Sequence, residues 1–182
     1  MKQRKYLTQS EVELLLAEAG RSSTPERDSC LLYLCFIHGF RVSEVCALKL
    51  TDVSLQDRSL LIRRMKNGFS TIHPIQHDEA RILKAWLNVR SSLPGAESER
   101  LFVSRQGAGL TRQRAWQVIK RLGERAGIEV SLHPHMLRHT CGFALADRGV
   151  DTRLIQDYLG HRNIRHTVLY TASNVERFRN IW

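Results

Sequence analysis

At 182 residues and 42% hydrophobic content, the chain fits one ordinary domain with enough apolar side chains to fill a core. No run of 18 apolar residues occurs, and the basic start Met1-Lys2-Gln3-Arg4-Lys5-Tyr6 is not followed by an apolar signal region, so the expected place of work is the cytosol. The net charge of +10 is uneven: residues 101–182 hold 13 Lys/Arg against 6 Asp/Glu, while residues 1–100 hold 15 against 12.

In the basic half the cations are almost all arginines, scattered rather than in one run, which makes them folded surface and not a tail. Arginine pairs two donors with phosphate oxygens, so nucleic acid is the expected polyanionic partner. Cys30, Cys35, Cys46 and Cys141 each sit in apolar, helix-like runs and are expected as free core thiols rather than disulfides.

Along the chain, Thr8 with Glu11 three residues on predicts a capped helix to Ala19, stopped by Gly20. Thr24-Pro25 opens a second helix to about Gly39, with Leu31, Leu32, Cys35 and Phe36 on its core face. A short third helix is predicted over Ser43–Leu50. Residues 59–64 and 69–75 then look like two strands around Lys66-Asn67-Gly68, and Asn-Gly is a strong hairpin signal. Helices are predicted at about 77–90, 111–126, 135–148, 151–159, 164–171 and 174–181, with a short strand at Leu101-Phe102-Val103. The expected fold class is α+β, mainly helical, one domain over 1–182 with a small antiparallel sheet at one side.

The chemistry concentrates late in the chain. On a helix, Leu137, Cys141, Ala144 and Leu145 form an apolar stripe, while His135 and Arg138, three apart, project together elsewhere. An imidazole and a guanidinium converging on one point suit an oxyanion. Asp151 caps the next helix and Gly160 ends it, leaving His161 just past a rigid stop. Tyr170 follows nine residues later on a short helix with Ile164, Val168 and Leu169. Taken singly, His161 reads as a surface histidine and Tyr170 as an amphipathic packing residue.

Taken together, His-x-x-Arg, Leu-Gly-His and the following Tyr, preceded by Arg41 in Gly39-Phe40-Arg41-Val42-Ser43-Glu44, resemble the tyrosine recombinase family over about Tyr6–Phe178. Lys66-Asn67-Gly68-Phe69-Ser70-Thr71, His133–His139 and Asp151–Asn174 are further similar to the short recombinases that switch fimbrial genes in enteric bacteria. The resemblance implies that Tyr170 attacks a DNA phosphodiester to leave a 3′-phosphotyrosine and a free 5′-hydroxyl. It implies that Arg41 and Arg138 grip the non-bridging oxygens, that His135 and His161 bond the phosphate and move protons, and that Lys66 protonates the departing 5′-oxygen. Glu44 matches an acidic position that orients the site, and His139 is placed with it as a supporting residue. Arg112, Arg114, Lys120, Arg162 and Arg165 are candidate DNA contacts.

A free tyrosine ionises near pH ~10, and packed cations are expected to favour its anion. One ester replaces another, so neither ATP nor a metal cofactor is required. His133, His135 and His139 invite a metal, yet the residue after His135 is Met136 rather than the Glu of the usual pattern. Two other readings share the fold or the chemistry: a DNA-binding transcriptional regulator without strand exchange, and a type IB topoisomerase. The family further implies double-stranded DNA with inverted-repeat sites, a homotetramer on DNA formed from free monomers, and accessory DNA-bending proteins. About five residues precede the first helix, so no separate amino-terminal DNA-clamping domain is expected. Residues 174–182 leave open whether a reach to a neighbouring subunit is present in short form or cut away.

Overall fold

The computed structural model describes residues 4–65 and 69–172; the Lys66-Asn67-Gly68 turn and the helix expected near 174–181 lie outside the described residues. The first helix, α1 (Gln9–Ala19), starts with the expected reciprocal cap: Glu11 N–H donates to the Thr8 hydroxyl and Thr8 N–H donates to the Glu11 carboxylate. Gly20 ends it in right-handed geometry (φ −63°), so the helix stops without a left-handed glycine. Helix α2 (Pro25–Ile37) carries Cys30, Leu31, Leu34 and Cys35 into the core. Thr24 does not cap the backbone; its hydroxyl donates to Asp28, which also holds the buried Arg27.

The third helix is shorter than its sequence suggests. Helix α3 (Val42–Ala47) ends early because Leu48 C=O and Leu50 N–H are drawn into bonds with Leu101 N–H and Glu99 C=O, each 2.8 Å. A 3-10 turn at Leu50–Asp52 leads into β1 (Val53–Ser54), a strand not anticipated from the pattern. It pairs with β2 (Ser59–Ile62), which pairs with β3 (Thr71–Pro74), giving an antiparallel sheet ordered β1-β2-β3. The last pair of the β2–β3 ladder among the described residues is Ile62 opposite Thr71.

Helices α4 (His77–Arg90), α5 (Arg112–Arg125), α6 (Pro134–Asp147), α7 (Thr152–Leu159) and α8 (Arg165–Thr171) lie within a residue or two of their predicted bounds. Leu101–Val103 is buried, but it forms only isolated bridges rather than a strand. Its neighbourhood is pinned by side chains instead: Trp86 donates to Leu101 C=O, and the Arg90 guanidinium donates to the carbonyls of Ala96, Ser98 and Arg100. Helix α2 packs on α4 and α6 over the main core. A smaller layer of Cys141, Ala146, Ile155, Leu159 and Tyr170 joins α6, α7 and α8. All four cysteines are free and buried, as expected. No helix among the described residues is long and apolar enough to cross a membrane.

Candidate active site

Two chain reversals meet where α2, α6 and α7 come together. Gly39 (φ +58°) turns the chain from α2 towards Arg41, and a side chain there would collide with Leu159. Gly160 (φ +66°) closes α7 in the left-handed geometry expected for it, and a Cβ on it would lie 2.7 Å from Arg64 Cγ. Arg138, on the second turn of α6, ties these reversals together. Its guanidinium donates to Gly39 C=O at 2.5 Å and to Leu159 C=O at 2.7 Å. Burial, then the neighbouring Arg64 and Arg41, push its pKa down to about 10, which still leaves it charged at neutral pH.

Glu44 is the hub of a second knot. Its carboxylate accepts from Arg41 N–H (2.9 Å), the Arg41 guanidinium (2.7 Å), Arg64 (3.1 Å) and Met65 N–H (3.2 Å). Burial alone would raise its pKa; Arg64 beside it and the two Arg41 bonds bring it below the ordinary carboxylate value. Glu44 therefore aims Arg41 and fastens the residue preceding Lys66. Arg64, which sequence reasoning missed, is fully buried at its side chain and also donates to the carbonyls of His38 and Tyr158. A signal was present. Leu60, Ile62 and Arg64 share the inward parity of a strand, and an arginine at that parity must find buried partners.

These supports surround a cavity of about 370 Å³ lined by Arg41, His135, Arg138, His139, His161 and Tyr170. His135 is exposed at its rim, and His161 is buried with Nδ1 2.9 Å from the Thr167 hydroxyl. Burial and then Arg138 and Arg41 lower the His161 pKa to about 3, so its ring is neutral. The Tyr170 ring is 2% exposed and lies edge-on to Phe143, with its hydroxyl 3.1 Å from His139 Nδ1. The expectation that packed cations favour the phenolate needs correction. Arg138 and Arg41 do pull its pKa down, but burial outweighs them and pushes it up to about 12.

Thus five of the six residues singled out as catalytic converge, and Lys66 lies outside the described residues. His166, on α8 one turn before Tyr170, also lines the cavity and was not anticipated; its ring stands 6.0 Å from that of His161. Of the candidate DNA contacts, Arg162 joins the cavity. Arg165 is exposed outside it, and Arg112 lines a separate groove with Ser43 and Met65. Arg114 lies in another groove with Arg121 and Arg125, and Lys120 sits 5.3 Å over the Trp116 ring.

A tyrosine beside two guanidiniums and several imidazoles, on a mainly helical frame, brings together a nucleophile type and the donors that phosphoryl transfer uses. The chain belongs to the phage integrase family, whose sequence model matches residues 5–177. It is 55% identical to the type 1 fimbriae regulatory protein FimB of Escherichia coli (strain K12), over 100% of this chain and 90% of that protein. It is 49% identical to the type 1 fimbriae regulatory protein FimE of the same strain, over 100% of this chain and 92% of the relative. Among solved structures, XerA recombinase superposes with a TM-score of 0.83 at 32% identity over 96% of this chain. XerH site-specific recombinase bound to palindromic difH substrate gives 0.81 at 25% identity over 95%. This chain spans 62% of the XerA chain and 51% of the XerH chain.

Proposed function

We propose that this protein is a site-specific DNA recombinase that inverts a promoter-bearing element to switch fimbrial gene expression, with Tyr170 as its nucleophile. The observation that carries the reading is the meeting of Tyr170 with Arg41, Arg138, His135 and His161 in one cavity. Similarity along the whole chain to FimB and FimE supports the fimbrial assignment. The scissile phosphate would enter with its non-bridging oxygens towards Arg41 and Arg138, where charge builds up in the transition state. His135 and neutral His161 donate to the same oxygens, and Lys66 protonates the departing 5′-oxygen. Glu44, with the Arg64 it holds, keeps Arg41 aimed without touching DNA.

The 3′-phosphotyrosine conserves the energy of the broken ester, and a 5′-hydroxyl from the partner strand reverses the step. The partner is double-stranded DNA with inverted-repeat sites, on which four subunits assemble and exchange one strand pair at a time, helped by DNA-bending proteins. The deciding experiment uses a nicked suicide duplex carrying a fimbrial inverted repeat, resolved on a denaturing gel. The wild-type protein gives a covalent adduct, and Tyr170→Phe binds the duplex equally well and gives none. Clean binding without any wild-type adduct would leave a DNA-binding regulator on this fold.

A further inference from the structure

The nucleophile presents a problem that the two arginines do not solve. Burial holds the Tyr170 hydroxyl protonated at neutral pH, its pKa pushed up to about 12. Something must take that proton as the phosphorus–oxygen bond forms. Three imidazoles other than that of His139 line the cavity. His161 turns Nδ1 to Thr167, and its ring stacks beside that of Tyr170 at a centroid separation of 6.3 Å. His135 is exposed, with its ring 6.3 Å from that of His133, and His166 lies towards His161. Among the described residues, the nitrogen within hydrogen-bond reach of the Tyr170 hydroxyl is His139 Nδ1, at 3.1 Å.

We propose that His139 is a further catalytic residue, the general base that accepts the Tyr170 proton; this rests on Tyr170 being the nucleophile. In the neutral ring with its proton on Nε2, Nδ1 presents a lone pair to the hydroxyl. As Tyr170 Oη bonds to phosphorus, its proton passes to Nδ1 and makes an imidazolium. The bond from phosphorus to the 5′-oxygen breaks, and that oxygen keeps the electron pair and takes a proton from Lys66. Rejoining runs backwards: the 5′-hydroxyl attacks, its proton goes to Lys66, and the imidazolium returns its proton to the leaving tyrosine oxygen. The environment keeps the base ready. Burial first, then His135, Arg138, His133 and Lys5, lower the His139 pKa, so the ring is neutral before DNA arrives. The incoming phosphodiester supplies the negative charge that steadies the imidazolium. Helix α6 thereby offers successive residues to opposite ends of the reaction, Arg138 to the phosphate and His139 to the nucleophile.

The test is single-turnover cleavage by wild type, His139→Ala and His139→Gln on an ordinary suicide duplex and on one with a 5′-bridging phosphorothiolate. Glutamine can accept the tyrosine's hydrogen bond through its amide oxygen but cannot take a proton, so it separates positioning from base catalysis. We expect both variants to cleave about 100-fold or more slowly, the usual worth of a general base, with DNA binding and thermal unfolding unchanged for His139→Gln. The defect persists on the phosphorothiolate, whose leaving group needs no acid, and added imidazole restores part of the His139→Ala rate. The residual rate of both variants climbs with pH through neutrality, because it draws on rare phenolate. Near-wild-type cleavage by His139→Gln would reduce His139 to a positioning role and overturn the proposal. Full rescue by the phosphorothiolate would move it to the leaving group and overturn it equally. An adduct formed by Tyr170→Phe would instead sink the nucleophile assignment itself.

Discussion

Buried histidines are where the residue scale makes itself felt most directly. His161 and His73 both have their pKa pushed to about 3, in each case chiefly by burial. Cations add to this, Arg138 and Arg41 beside His161, and the neighbouring His38 and then Arg64 beside His73. In the unfolded chain the same rings titrate near ~6.5. As pH falls below that value the unfolded state gains protons that the folded state refuses, so the stability these residues contribute is whole above about pH 6.5 and drains away towards pH 3. Glu44, with its lowered pKa, adds a loss of the same sign once the pH falls below the ordinary carboxylate range. Urea unfolding between pH 7.5 and 4 should show a midpoint that drops steadily through this window. A midpoint that is flat or rises on acidification would mean that these rings are not buried neutral. That Arg41 and His161 belong to one constellation was legible from the motif resemblance. Arg64 was not, because its importance comes from carbonyls of His38 and Tyr158 that lie far from it in sequence.

At the scale of elements, the approach of α8 to α6 places Tyr170. The two helices cross at Gly142, and a Cβ built there would lie 2.5 Å from Tyr170 Cε2 and 2.6 Å from Cζ. The ring is packed against Phe143 and the small core layer. Gly142→Ala ought to leave α6 intact, alanine being the better helix former, while displacing Tyr170 from its place beside Arg138. A shift of about 1 Å at a reacting atom costs on the order of a hundredfold in rate. The variant is therefore expected to lose adduct formation by about that factor and to keep its DNA affinity, measured by cleavage and gel shift on one duplex. Parallel loss of both would point to a damaged fold instead. Strong local signals found the helices: the Thr8 cap, Thr24-Pro25, Asp151 and Gly160. They misjudged the segments whose backbone bonds go to distant partners. Leu48 and Leu50 pair with residues 99–101.

For the whole molecule, the net charge of +10 is a statement about partners more than about fold. A subunit that neutralises several phosphates releases their counterions, so affinity should fall by roughly a thousandfold or more between 50 and 200 mM salt for about six contacts. Gel-shift titrations at four salt concentrations give the slope, and affinity that is independent of salt would remove the basic surface from the DNA interface. The sequence by itself determined the helical class, the sheet at one side, the grouping of Tyr170, Arg41, Arg138, His135 and His161 as one candidate site, and the family. Those depend on local periodicity, caps and residue types that are fixed along the chain. Only the tertiary structure decided what surrounds each group: the Tyr170 hydroxyl held by His139, its ionisation opposed by burial despite two arginines, and Glu44 joining Arg41 to Arg64. Desolvation and hydrogen bonding act over a few ångströms of space, and residues 31 apart in the chain, such as His139 and Tyr170, come within that reach only when the helices pack.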